Sequence, residues 1–464
     1  MAAASSCSFP FKSETPPPAD RTGWFRDAKF GLFLHWGPYS LAGVEASWPI
    51  MVPKLIPRAP ITEAEYTALP RRFNPVRYDP AAWVRTARQA GMRYMVITTK
   101  HHDGFCMFDA PGTDYKITRT PYGKDVIAAL AAAAKEQNMR LGFYYSPPDM
   151  NHPGYRDTSK PAIVNWQGEP SRPQWKEYLD YMESHVRKLL TDYGEVSILW
   201  FDGLFEQEKY RPERFHKLIR QLSPNTLVND RLGPDLGDYV TPEQFFPGGI
   251  PVKRTAPPPK WSLDILNQLV EAGGKPTPEL MAKLAEIQKA TYPTELHPTL
   301  DRFQLWETCM TMNDTWGYCP TDKNFKPADQ LIRTLVEVAS RGGNFLLNVG
   351  PSPEGTFPPE AEERLRRVGE WVARNEPAIR GTTYGQVQGL PTLRTTRKDG
   401  RTYLHVIDWP KGKLEIPEFP GAVSSVSLLA GRQALAFRLN GRRLTIDVPE
   451  QAPDSPISVI EVVS

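Results

Sequence analysis

The run TTKHHDGF, residues 98 to 105, sets two histidines and an aspartate directly behind the apolar stretch YMVI. Imidazoles placed there can ligate a metal, move protons or read hydroxyl groups. Adjacent residues on a strand point to opposite faces, so His101 and His102 share one ion only where the strand has already turned. The remaining candidates His152, His185, His216, His297 and His405 are scattered, and the expectation is that no metal is bound. A serine or cysteine nucleophile is not indicated either, since the chain has no G-x-S-x-G elbow. Carboxylates offer more. Asp202 in ILWFDG follows large apolar residues at a strand end, the setting of a nucleophile, with Trp200 beside it as a possible face for a sugar ring. Two downstream acids can partner it, Glu243 in DYVTPEQFF and Glu307 in LWETC.

Such groups must be carried by elements that converge. The apolar runs KFGLFLHW, YMVITTKHH, RLGFYYS, VSILWFD, TLVND and NFLLNVG alternate with amphipathic helices, which is the pattern of a parallel sheet with both faces covered. Asp79 and Pro80 open one helix and Gly91 stops it; Asp125 caps a second; a third ends at Gly194. At least six such strands favour an α/β fold of the (β/α)8 TIM-barrel kind, whose chemistry sits at the strand C-terminal ends. Polar groups do enter there: His35, His101 and His102, Tyr144, Asp202, Asn229 to Arg231, and Asn348.

The division expected is a disordered lead-in over 1–20, a catalytic barrel over 21–380 and an all-β sandwich over 381–464. An insertion at about 251–300 interrupts the barrel with a proline-rich run and a helix through PELMAKLAEIQKA. In the last segment, KDGR and LNGR carry the Asp-Gly and Asn-Gly signals of tight hairpins. Net charge is only +3, from 56 basic and 53 acidic residues without a dense basic stripe, which argues against nucleic acid and a membrane surface as partners. Four cysteines, none in a CxxC pair, give neither a disulfide framework nor a zinc site. The first residues lack the basic start and apolar core of a secretory signal.

In this order, WFRDAKFGLFLHWGPYS, TTKHHDGF, GFYYS, LWFDG, VNDR and WETCMTMNDTWGY resemble the signature stretches of glycoside hydrolase family 29, the α-L-fucosidases, over residues 22–380. The TMNDTWGY run is similar to the subfamily acting on branched α1,3/4-linked fucose. The resemblance implies a retaining double displacement with no cofactor, acting on a fucosylated oligosaccharide or glycoconjugate. Asp202 would be the nucleophile, kept ionised by Arg231, and Glu243 the preferred acid/base with Glu307 as alternative. It also implies that His35, His101, His102, Tyr144, Trp200 and Arg231 form the sugar subsite, with Trp48 aligned and Trp316 against the C5 methyl group. One departure is that Ser47 stands where many members have an acid, with Glu45 two residues away. The alternatives are a retaining glycosidase for an α-L-galactose-like sugar and a binding protein that has lost catalysis.

Overall fold

The structure is a computed structural model and describes residues 20–52, 61–203, 207–233, 235–255, 268, 277–299, 301–387 and 389–464. The expected lead-in, apart from Asp20, lies outside the described residues, as does much of the 251–300 insertion.

Seven parallel strands form the main sheet: β1 (Phe30–Leu34), β2 (Tyr94–Lys100), β3 (Arg140–Tyr145), β4 (Ile198–Phe201), β5 (Leu227–Val228), β6 (Glu307–Thr311) and β7 (Asn344–Val349). Their spatial order is β5-β4-β3-β2-β1-β7-β6. The gap between β5 and β6 is spanned by residues 239–243, through parallel bridges Asn229 to Tyr239, Val240 to Trp306 and Glu243 to Cys309. That segment stands where an eighth strand would, and the TIM-barrel expectation holds. The helices around it are α1 (Pro80–Gln89), α2 (Val126–Glu136), α3 (Trp175–Thr191), α4 (Pro212–Leu222), α6 (Ala328–Ser340) and α7 (Pro359–Asn375), while α5 (Pro278–Thr291) belongs to the insertion. The caps act as their chemistry dictates. Asp79 accepts from the Ala82 amide and Asp125 from that of Ala128, and Gly91 closes α1 at φ +86°. Among the described residues, no helix is long and apolar enough to cross a membrane.

Side chains alternate between two cores. Phe33, Tyr94, Val96, Tyr144, Ile198, Trp200 and Leu346 fill the barrel interior, whereas Leu32, Leu34, Met95, Ile97, Phe143, Leu199 and Phe345 pack outward against helices. Gly31 makes room for one of the interior rings, since a β-carbon there would lie 2.4 Å from the Tyr94 ring. The insertion leaves and returns through a neck, where Ile250–Pro251 pairs antiparallel with Thr294–Glu295.

Beyond α7 the chain forms a five-stranded antiparallel sheet, β8 (Thr383–Tyr384), β9 (Leu393–Lys398), β10 (Arg401–Val406), β15 (Ser458–Val463) and β12 (Ser425–Leu428) in spatial order. A second sheet of β11 (Lys413–Ile416), β14 (Arg443–Asp447) and β13 (Phe437–Asn440) completes a sandwich around Leu404, Ile416, Leu444, Ile446 and Ile460. The KDGR turn forms as expected, with Asp399 at φ +47° and Gly400 at φ +73°. The LNGR turn is shifted by one residue. Asn440 pairs with Arg443 as the last rung, so Gly441 (φ +59°) and Arg442 make the turn, glycine occupying the first central position. We propose the boundary near residue 380, because α7 ends at Asn375 and β8 begins at Thr383.

Candidate active site

The interior alternation continues past the strand ends and aims the functional groups. Phe33 leads to His35, Trp200 to Asp202, Leu227 to Asn229 and Arg231, and Leu346 to Asn348, each two residues on and on the same face. β5 is only two residues long, and Asn229 replaces the missing ladder by exchanging two 2.9 Å hydrogen bonds with the Phe201 backbone. This ties the base of Arg231 to the strand that carries Asp202.

The Arg231 guanidinium bridges both acids, with Nη1 on Asp202 Oδ1 and Nη2 2.8 Å from Glu243 Oε2. Asp202 Oδ2 accepts from the Tyr144 hydroxyl at 2.7 Å and lies 3.8 Å from His102 Nε2. Burial alone would raise the Asp202 pKa. The Arg231 charge, the neighbouring His102 ring and hydrogen bonds from Tyr144 and the Gly203 amide outweigh it and hold the carboxyl below its ordinary range. Glu243 moves the other way, pushed up by burial and by the Asp202 charge against the pull of Arg231. Its side chain is 41% accessible through the mouth.

Three histidines line the wall. His35 Nδ1 meets Asn348 Oδ1 at 2.7 Å, His101 Nδ1 meets Ser47 Oγ at 2.7 Å, and His102 Nδ1 meets Ser146 Oγ at 2.6 Å. Burial makes all three reluctant to protonate, lowering His35 and His102 to about 4 and His101 well below its ordinary value. The opposite-face rule for adjacent histidines does not apply, because β2 ends at Lys100 and the chain has turned before His101. Gly104 at φ +85° permits that turn, and Asp103 braces it by accepting from the Tyr66 hydroxyl and the Phe105 amide. Trp316 stands 4.9 Å from the His35 ring and Trp48 5.8 Å from that of His102, centroid to centroid.

Two expectations need correction. Glu307, the alternative acid/base, is the first residue of β6 and is fully buried inside the barrel. It accepts from the Tyr94 hydroxyl and from Trp200 Nε1 and is pushed up to about 7, chiefly by burial. Trp200 likewise presents no free face: it is 1% exposed, Arg231 lies 4.5 Å over its ring, and Tyr144 stacks at 5.6 Å. Glu45 does not reach into the site either, since its carboxylate is taken by the amides of Ala46, Trp316 and Gly317.

Sequence reading assigned no role to Ser146 or Tyr66, and placed Asn348 among the polar groups at the strand ends without a specific task. The period-2 pattern of GFYYS did carry a signal for Ser146, which follows inward-facing Tyr144 by two. His101, His102 and Asp202 each place a ligand atom within 4.8 Å of the others, enough for a metal ion. Arg231 and Tyr144 already engage both Asp202 oxygens, and a guanidinium beside the carboxylate disfavours a cation there. A cavity of about 530 Å³ opens beside the loop carrying Trp316, lined by Tyr318, Lys323, Phe325 and Phe357, but neither carboxylate of the pair faces it. A narrower apolar cleft next to His102 is lined by Trp48, Met51, Tyr155, Trp166 and Gly203.

Comparison with known proteins agrees along nearly the whole chain. A family model described as alpha-L-fucosidase matches residues 4–265 and 281–377. Alpha-L-fucosidase isoenzyme 1 from Paenibacillus thiaminolyticus superposes with a TM-score of 0.78 at 32% identity, covering 96% of this chain and 98% of that one. The alpha-fucosidase of Thermotoga maritima, in complex with a mechanism-based inhibitor, gives a TM-score of 0.72 at 27% identity, with 95% and 96% covered. Tissue alpha-L-fucosidase of Bos taurus is 25% identical over 476 residues, which is 96% of this chain and 87% of that protein.

Proposed function

The chain belongs to the alpha-L-fucosidase family and is a glycoside hydrolase, and from that premise we propose that it removes terminal α-linked L-fucose with retention of configuration. The observation that carries the reading is the shared guanidinium. One Arg231 spans Asp202 and Glu243, yet their environments push the two carboxyls apart, one toward the ionised form and one toward the protonated form. Ionised Asp202 attacks the anomeric carbon while Glu243 protonates the departing oxygen. The fucosyl ester is then hydrolysed by a water that Glu243 deprotonates, and each group returns to its starting state. Two carboxyls and one water account for every bond made and broken, so the reaction calls for no cofactor. Glu307 suits this work poorly, since both its oxygens are occupied inside the barrel, away from the mouth.

In this reading His35, His101, His102 and Tyr144 read the ring hydroxyls, Arg231 holds the acids, Trp200 forms the floor, and Trp48 and Trp316 shield apolar sugar surfaces. A closed floor of Phe33 and Trp200 admits a chain end and not a chain interior, which fits exo action. The TMNDTWGY run supports the narrower specificity for α1,3- or α1,4-linked fucose on branched oligosaccharides. Release of 4-nitrophenol from its α-L-fucoside, compared with cleavage of a branched Lewis-type oligosaccharide, tests both levels. Preference for the branched substrate supports the narrow specificity. Fucose binding without turnover of either substrate would contradict hydrolysis altogether.

A further inference from the structure

Three neutral imidazoles face the proposed sugar pocket, and a neutral imidazole shows substrate either a proton or a lone pair according to what its other nitrogen does. The partners on the page decide each case by donor and acceptor count. Asn348 Nδ2 donates 2.8 Å to the Trp316 carbonyl, which fixes its amide orientation; its Oδ1 must accept, so the proton of His35 is on Nδ1. Ser47 Oγ accepts the Asp103 amide at 2.8 Å, and among the described residues its hydroxyl hydrogen has only His101 Nδ1 as an acceptor, so the His101 proton is on Nε2. Ser146 Oγ donates 3.0 Å to the Pro148 carbonyl, so it accepts from His102 and that proton is on Nδ1. The 3.8 Å gap between His102 Nε2 and Asp202 agrees, since a proton there would draw the carboxylate to ordinary hydrogen-bond length.

We infer that Ser47 and Ser146 are positioning residues that lock the adjacent histidines in opposite tautomers, His101 offering a donor to substrate and His102 an acceptor. The ring centroids of the pair are 4.1 Å apart. A substrate hydroxyl between the two free nitrogens therefore accepts from one ring and donates to the other, and a pocket so built reads the direction of a hydroxyl as well as its position. Ser47 is held for this task by a closed circuit: its amide donates to the Tyr66 hydroxyl at 2.8 Å, which donates to Asp103 at 2.8 Å, whose amide returns to Ser47 Oγ. The inference rests on reading this pocket as the sugar site.

The test is a long-range ¹H–¹⁵N correlation spectrum of the full chain labelled at histidine, with signals assigned through His101→Gln and His102→Gln variants. Protonated and bare ring nitrogens resonate far apart, so the tautomer is read directly. The expected result is a bare Nδ1 for His101 and a bare Nε2 for His102; both rings in one tautomer would overturn the proposal. Ser146→Ala should release His102 from its tautomer and lower kcat/KM on an aryl α-L-fucoside about 10- to 100-fold, chiefly through KM. Ser146→Thr keeps the hydroxyl and should restore most of the loss; a Thr variant as impaired as Ala would count against the tautomer role. The spectra need no sugar, so a failed tautomer assignment leaves the hydrolase reading standing, and a failed hydrolysis assay leaves the tautomers unaffected.

Discussion

A guanidinium shared between two acids ties their titration together. In the proposed mechanism Asp202 is ionised to attack, so activity should fall as pH drops through its lowered pKa; Glu243 is protonated, so activity should fall as pH rises through its raised one. Arg231 pulls both values down. Arg231→Gln should therefore move both limbs of the kcat/KM profile to higher pH and reduce its maximum by about 100-fold or more. A profile that keeps its limbs would show that Arg231 does not set them. Glu307 gives a separate prediction, about stability. Its pKa is raised from an ordinary 4.5 to about 7 in the folded chain. Between those values the folded state keeps a proton that the unfolded state releases, so stability that is full below pH 4.5 is lost as pH rises toward 7. That loss is on the order of 3 kcal/mol. Glu307→Gln is sterically matched, and the Tyr94 hydroxyl can turn to accept from the new amide. Urea unfolding at pH 5 and pH 7.5 should show a smaller difference for the variant than for the parent; equal differences would contradict the buried-acid account.

The element that decides the site is the turn after β2. Its glycine has no substitute: a β-carbon on Gly104 would lie 2.2 Å from Asp149 Oδ1, at a φ of +85°. Gly104→Ala should cost about 2–4 kcal/mol and misplace both histidines, giving a lowered thermal midpoint together with a lowered kcat/KM. A variant with parental stability would mean the turn is looser than its contacts indicate. This turn also marks where sequence reasoning reached its limit. The apolar run made β2 legible. The position at which pleating stops was not, and that position puts both imidazoles on one side. The span 239–243 was illegible as a strand because Pro242 breaks its pattern and only isolated bridges hold it. ETCMT, which begins with a charge, hid the inward direction of Glu307; that became readable only through the partners Tyr94 and Trp200. Ser47 and Tyr66 approach the histidines from distant parts of the chain, and local spacing carries no record of such contacts.

Across the whole molecule, the sandwich is built into the barrel. Tyr403, Ile457 and Val459 share the core that contains Trp371, whose indole donates 2.9 Å to the Ile457 carbonyl, while Arg374 pairs with Asp454. The expectation is one cooperative thermal transition for both parts, and loss of soluble folded barrel when residues 381–464 are removed. A truncated chain with parental activity would make the sandwich an appendage. The alternation of apolar runs and helices and the later hairpins made this architecture legible, since burial on two faces and turn chemistry are local properties. The most direct test of the central claim, retention through Asp202 and Glu243, is the configuration of the product formed with azide. The Asp202→Ala variant lacks the nucleophile, so azide should replace it and give the β-L-fucosyl azide. The Glu243→Ala variant still forms the fucosyl ester, so azide should intercept it and give the α-L-fucosyl azide. If Glu307→Ala instead yields the α-azide and Glu243→Ala yields none, the acid/base assignment is contradicted; if Asp202→Ala turns over without azide, the nucleophile is elsewhere.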